Sequence, residues 1–341
     1  MNFKIDLRIK MGLSIAITML LAMPFLLGAA ENEEVIEHET GFYYTVQKGD
    51  TLWDLSRKFS DSAWLWPEMW QENKQIANPH RIYPGERIRL FRRTGTKKVS
   101  EKKMAVAPPT LENLIYYNYT PLDRVGFIRK QPVEAHGAIF KVMETKEMIN
   151  TDDIVYIRPE GDAKLVPGKR YTVYRTLPPI RDRATNAYIG VQHLLTGVVE
   201  ITQVQPQYAI GTIINAYRPI HLEDKLMPYH RRPPEVVLKD SPEGLEGKII
   251  ESEEHNRLIG DTMIAFIDKG KMDGVQPGQF YSVYYQASER INPNKKEKIL
   301  LLPVDFAELL VIHTEDTTAT VIVTKDDWEF EPGAKIRTPV Q

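Results

Sequence analysis

Two long stretches of the 341-residue chain align with each other without a gap. HGAIFKVMETKEMINTDDIVYIRPEGDAKLVPGKRYTVYR lies over EGKIIESEEHNRLIGDTMIAFIDKGKMDGVQPGQFYSVYY, so that Gly137 meets Gly247, Ile154 meets Ile264 and Ile157 meets Ile267. Pro167 and Gly168 fall on Pro277 and Gly278, and Tyr171, Val173 and Tyr174 on Tyr281, Val283 and Tyr284. The same offset carries Ala209 onto Ala319 and Lys225 onto Lys335. A pattern that recurs over so long a span marks one folding unit used twice. Residues 122–228 and 244–341 are therefore expected to be two copies of one domain, separated by a linker at 229–243.

Within each copy the apolar residues alternate rather than recur at helical spacing. DIVYI, VPGKRYTVYR, LTGVVEITQVQ, YAIGTIINAY and HLEDKL read as short strands divided by turn residues. Small antiparallel barrels or sandwiches fit this pattern, and a helix-rich fold does not. The Pro-Gly turn followed by Tyr-x-Val-Tyr distantly resembles β-barrel modules in periplasmic accessory proteins of envelope machines, from which no functional residue carries over. The tyrosines either fill the barrel interiors or, with exposed strand edges, offer a surface to another envelope protein.

The first thirty residues differ from all that follows. Lys4, Arg8 and Lys10 precede an uncharged run from Met11 to Leu27, and Gly28 and Ala30 supply small residues after it. This reads as a signal peptide (1–30) cleaved after Ala30. The alternative is a retained anchor, because the run lies between a signal core and a full span of about 20 residues. In either case the chain is expected in the cell envelope or periplasm, touching a membrane only through that segment if it is retained. An acidic spacer follows at 31–42.

Residues 44–59, YTVQKGDTLWDLSRKF, pass from an alternating strand through a Gly49 turn into a helix. Asp50 or Thr51 is placed to cap it, and Leu52, Leu55 and Phe59 form one apolar face. Pro67 suits the first turn of a second helix at about 67–75, IANPHRIYPGE is a loop, and RIRLF is a closing strand. GDTLW, Asn73 and NPHRIYPGERIRL, in this order and at this spacing, resemble the LysM domain, over residues 43–91. The resemblance implies an α+β fold of order βααβ, ahead of the two mainly-β domains in tandem. It also implies that peptidoglycan glycan strands containing N-acetylglucosamine lie in a shallow groove between two loops. By position, one wall would be Gly49, Asp50, Thr51 and Leu52. The other would be Asn78, Pro79, Arg81, Ile82 and Tyr83, with Asn73 at the end of the second helix beside it. Backbone groups in tight turns suit an acetamido group, and Leu52 and Ile82 would offer apolar contact. Against this, Asp50 and Thr51 are equally suited to capping and Asn73 to fixing the next loop. Trp64, Trp66 and Trp70 depart from the usual Leu-rich second helix; Trp70 is expected in the core, while Trp64 and Trp66 fit either packing or sugar stacking.

From 92 to 121 the chain is basic and broken by Pro108 and Pro109, as a solvated linker would be. The 44 basic and 46 acidic side chains nearly cancel, which gives no sign of a nucleic-acid partner. No cysteine is present, so wall enzymes built on a thiolate are excluded. The eight histidines are scattered without a His-x-His, and neither Gly-x-Ser-x-Gly nor Ser-x-x-Lys occurs. Asp152 with Asp153, or Glu253 with Glu254, are the remaining carboxylate pairs for a cryptic wall hydrolase. Adjacent residues on a strand point to opposite faces, and those in loops are usually only solvated, which argues against either pair. The sequence is thus read as a non-catalytic wall-binding protein, without metal or cofactor, whose β domains act as an adaptor. The alternative is a structural component of a wall-spanning machine.

Overall fold

The computed structural model describes residues 40–60, 62–90, 115–144, 148–161, 164–291 and 297–339. The expected signal peptide, the acidic spacer before residue 40 and the linker from 92 to 114 lie outside them. Within these residues the N-terminal module opens with β1 (Gly41–Thr45). It continues through α1 (Leu52–Phe59), a 3-10 turn (Ala63–Leu65) and α2 (Trp66–Glu72) to β2 (Arg87–Arg89). β2 returns antiparallel to β1 with Ile88 opposite Tyr44. Thr51 Oγ1 accepts the Asp54 N–H at 3.1 Å and so caps α1. Pro67 stands in the first turn of α2, where its missing N–H forfeits no helical bond. α2 stops at Glu72, short of the expected 75, because Asn73 leaves helical geometry. The helices and sheet enclose Leu52, Leu55, Met69, Ile76 and Ile88, with Trp66 and Trp70 packed at the margin.

The sheet is wider than the two strands of a lone βααβ unit. β3 (Ile115–Asn118) pairs with the other edge of β1, placing Tyr117 opposite Phe42. Residues 115–118 fall in a stretch that reads as linker by composition, yet Tyr116 and Tyr117 are buried. Beyond β3 come β4 (Phe127–Arg129) and a ring of β5 (Gly137–Val142), β6 (Ile154–Pro159), β7 (Arg170–Thr176), β8 (Ile180–Arg181), β9 (Tyr188–Val204), β10 (Ala209–Ala216) and β11 (Lys225–Pro228). The ring pairings run β5–β6–β10–β9–β7–β11 and back to β5, while β4 and β8 attach to β9. β12 (Glu235–Val237), inside the expected linker at 229–243, pairs with β3 and completes a four-stranded sheet.

A second ring follows: β13 (Glu246–Ser252), β14 (Ile264–Ile267), β15 (Phe280–Tyr285), β16 (Ser288–Glu289), β17 (Ile299–Leu300), β18 (Val304–Thr314), β19 (Ala319–Asp326) and β20 (Lys335–Arg337). It closes as β13–β14–β19–β18–β15–β20, the order of the first ring strand for strand. The registers agree as well. Leu226 faces Gly137 and Val173 as Ile336 faces Gly247 and Val283. Gly211 faces Ile201 as Val321 faces Val311, and the bridge Ile149–Ile220 recurs as Ile259–Phe330. The Pro-Gly turns need their glycines: Gly168 and Gly278 have φ of 75° and 95°.

Tyr171 and Val173 lie in the interior of the first ring and Tyr281 and Val283 in that of the second. Tyr174 is fully buried with Phe127 and Leu195. Most of the Tyr-x-Val-Tyr side chains therefore build cores rather than a surface for a partner. A third apolar layer joins the N-terminal module to the second ring: Tyr117, Tyr119 and Val236 pack on Ile264, Leu310 and Ile322. Phe42 meets Tyr117 edge-on at 4.9 Å and stacks near Phe280 at 6.0 Å. The module is thus seated on the second ring through a shared apolar core. Each buried apolar side chain there contributes about 1.5–3 kcal/mol of transfer free energy.

Candidate functional site

The two loops that follow β1 and precede β2 are zipped together at their bases. Val46 N donates to Glu86 O at 2.8 Å, and Gly85 N donates to Val46 O at 2.9 Å. Above this zip, three tight turns form a rim. In the first, Gln47 N and the Tyr44 hydroxyl both donate to Asp50 Oδ2, at 2.7 and 2.9 Å, while Asp50 N donates to Gln47 O. Burial, with help from that carboxylate, pushes the Tyr44 phenol far above its ordinary range and keeps it a donor. Gly49 sits at φ 97°, with open space where a Cβ would be, so the turn leaves a bare backbone at the surface. In the second, Arg81 N donates to Asn78 O at 2.9 Å and His80 N to Asn78 Oδ1 at 3.0 Å. In the third, Tyr83 N donates to Glu86 Oε2 at 2.9 Å.

Of the ten residues singled out from the sequence, eight reach the surface. Gly49, Thr51, Asn78, Arg81 and Tyr83 are exposed, and Asp50, Pro79 and Ile82 are half-buried. Leu52 and Asn73 are not available to a ligand. Leu52 is 2% exposed and lies in the module core, on the same helical face as Leu55. Asn73 is 1% exposed, and its amide is fully occupied: Nδ2 donates to Met69 O and Arg89 O at 2.7 and 2.9 Å, while Oδ1 accepts Arg89 N at 2.7 Å. It ties the end of α2 to β2. Val46, Gly85 and Glu86, which hold the two walls together, escaped the sequence reading; an exchange of backbone bonds carries no side-chain signal.

Three tryptophans lie outside the core in whole or part. Trp53, beside the α1 cap, meets Trp64 edge-on at 4.8 Å, and Trp64 is 77% exposed. Trp66 packs on the core from one side and approaches the His80 ring at 5.9 Å on the other, which brings it to the second turn. Trp70 is half-buried with its indole N–H donated to Ile76 O at 2.7 Å, as a core tryptophan requires.

A second concavity, about 390 Å³ in volume, opens between the rings beside Tyr119, Arg124, Arg218, Glu253 and Glu254. Glu253 is buried, accepts the Gly126 N–H at 2.5 Å and pairs with Arg218 at 3.3 Å. Burial raises its pKa, the Arg218 charge opposing. Glu254 is exposed and pairs with the same guanidinium. Deeper in the junction Arg129 clasps Glu315 at 2.8 Å, and His313 Nε2 meets the same carboxylate at 2.9 Å. Burial pushes Glu315 up, but the hydrogen bonds from His313 and Arg129 outweigh it and hold the carboxyl at about 2. Burial, then the Arg129 charge, depresses His193 to about 4, so it is neutral and accepts the Val133 N–H at 2.9 Å. The Arg218–Glu253 and Arg129–Glu315 pairs lock one ring to the other. Among the described residues no group of three or more His, Asp and Glu side chains is placed to hold a metal.

The rim belongs to a known class of module: residues 44–91 match the family model of the LysM domain, a binding module for peptidoglycan glycans containing N-acetylglucosamine. The chain is also 40% identical over 57 residues to the uncharacterised protein YqbP of Bacillus subtilis (strain 168). That match takes in 14% of this chain and 26% of YqbP, so the chain spans about a quarter of that relative's length. LysM domains are wall-associated modules. Among the described residues no helix is long and apolar enough to cross a membrane.

Proposed function

We propose that this chain is an exported, non-catalytic envelope protein that grips peptidoglycan through the rim at 47–51 and 78–84 and presents two rigid β rings beside the wall. The observation that carries the reading is the rim itself. Two loops held together by backbone bonds expose a glycine turn on one side, and Tyr83 beside the half-buried Ile82 on the other. A glycan chain laid there would meet peptide groups for its acetamido substituents and apolar edges for its methyl and ring faces. A shallow site of this kind binds weakly alone, which suits attachment reinforced by a second contact.

The rings read best as two copies of one domain, supported by strand order and register that agree throughout. Seating of the LysM domain on the second ring favours a structural component of a wall-spanning assembly over a freely tethered adaptor. Glu253 and Glu254, one of the two carboxylate pairs open to a hydrolase, are both engaged by Arg218, which supports a binding role. Cosedimentation with insoluble peptidoglycan tests the proposal. Tyr83→Ala, at a position 58% exposed, should lower the bound fraction about tenfold, the equivalent of about 1.4 kcal/mol, while leaving thermal unfolding unchanged. Undiminished binding by that variant would move the site elsewhere.

A further inference from the structure

The contact between the rings has a donor side and an acceptor side. The donor side is the β8–β9 hairpin of the first ring, whose Ile180 and Ile189 pack with Ile250 and Phe266 of the second. Gln192 donates to Glu253 O at 2.8 Å, and Arg218 pairs with the Glu253 carboxylate. The acceptor side is the β13–β14 face with the start of β19, where Thr318 donates to Ile128 O at 2.7 Å. This face is closed to water: Ile250, Phe266 and Thr318 are 6%, 0% and 2% exposed.

Because the rings share strand order and register, each side exists twice, and its second copy is uncovered. On the first ring the places of Ile250, Glu253, Phe266 and Thr318 are held by Phe140, Met143, Tyr156 and Tyr208. Phe140 and Met143 are 37% and 50% exposed. The rings of Phe140, Tyr156 and Tyr208 follow one another at 6.3 and 5.9 Å, forming an aromatic ladder on that face. On the second ring the counterpart of the donor hairpin is β16–β17 and the residues just after it. Ile299, Leu300, Leu301 and Leu302 are 39%, 68%, 41% and 88% exposed, a contiguous apolar edge of the kind that marks an interaction site.

The two uncovered sides also differ from the covered ones in a matched way. Where the covered junction has the ion pair Arg218–Glu253, the uncovered positions hold Trp328, 51% exposed, and Met143. Both positions hold apolar groups that suit each other, Trp328 being propped by its stack on Phe306 at 4.6 Å, whereas a surface kept only for solubility would carry charge. The partner that fits the second ring's hairpin is therefore the first ring of another copy.

We propose that the chain assembles head to tail, the Ile299–Leu302 edge and Trp328 of one copy seated on the Phe140, Met143 and Tyr156 face of the next. Such a contact is heterologous: it leaves one donor and one acceptor side free and builds a ring or an open row. Neighbouring LysM domains would then bind the wall together. The self-assembly does not depend on glycan binding.

Sedimentation velocity on residues 38–341, which form one compact unit, tests this. Two one-sided variants are needed, Leu300→Glu with Leu302→Glu on the donor side and Phe140→Glu with Met143→Glu on the acceptor side. All four positions are exposed, and thermal unfolding checks that each variant folds. The parent should form species beyond the dimer as concentration rises through the micromolar range, and each variant alone should stay monomeric. An equimolar mixture of the two variants restores one intact junction, so it should give a complex of twice the monomer mass and nothing larger. A parent that stays monomeric overturns the proposal. So does an acceptor variant that still self-associates, since hairpins would then be meeting hairpins, and so does a mixture that remains monomeric.

Discussion

Replacing Asn73 with Ala separates a ligand contact from a structural pin. The side chain meets three backbone groups, Met69 O, Arg89 O and Arg89 N, at 2.7 to 2.9 Å, and accepts from Gln75 Nε2 at 3.2 Å. Truncation leaves the three backbone groups without this partner in a site 1% exposed. At about 1 kcal/mol per lost bond the cost is about 3 kcal/mol, a large part of what a module of this size can hold. Hydrogen exchange read peptide by peptide is the assay, with the two rings as internal standard. Amides of α1, α2 and β2 should open about 150-fold more often, since each 1.4 kcal/mol is tenfold, and the rings should not change. Asn73→Asp keeps the acceptor for Arg89 N but turns a carboxylate oxygen toward Met69 O and Arg89 O in a buried site, so it should cost at least as much as Ala. If Asn73→Ala exchanges like the parent yet loses wall binding, the side chain is a glycan contact and its assignment as a pin is wrong.

Three further outcomes follow from the packing. Arg218→Leu removes the cation from buried Glu253 and should cost about 3–5 kcal/mol in urea unfolding, the usual penalty for stranding a buried charge; a loss below about 1 kcal/mol would mean the junction is wet. Acid should loosen the junction in two stages. His193, held at about 4, is neutral in the fold, and the unfolded chain binds the proton first, so stability falls between about pH 6.5 and 4 by about 3 kcal/mol. Glu315, held at about 2, adds a further loss from about pH 4.5 downward, and His193→Gln should shrink the first stage, to which His313, also depressed by burial, contributes. Gly278→Ala would drive a Cβ into the Val237 carbonyl at a φ of 95°, so a fall in melting temperature of several degrees is expected; an unchanged value would refute that turn.

The parts of the fold visible in the sequence are those whose signal is local. GDT and YPG carry turn and cap chemistry in single residues, and Tyr171 and Tyr281 announce one strand twice. β3, β4 and β12 are three or four residues long, and their partners lie elsewhere in the chain. IYYN therefore reads as the end of a linker until it is found beside Phe42. The junction is less legible still: Arg129 and Glu315 are 186 positions apart, and no spacing rule connects them. Leu52 shows a different limit. Its spacing with Leu55 and Phe59 already put it on the inner face of α1, and that periodicity outranks the position of the residue in a binding motif. Asn73 is polar and ends a helix, so only the structure shows that its amide is buried and used.

The most direct test of the account is backbone NMR of residues 38–341 titrated with an N-acetylglucosamine oligomer. The account predicts shifts confined to 47–51 and 78–84, with Trp53, Trp64 and Trp66 indoles reporting any stacking, and quiet amides throughout both rings. Shifts centred on the cleft beside Glu253, or none while the protein still sediments with peptidoglycan, would contradict it.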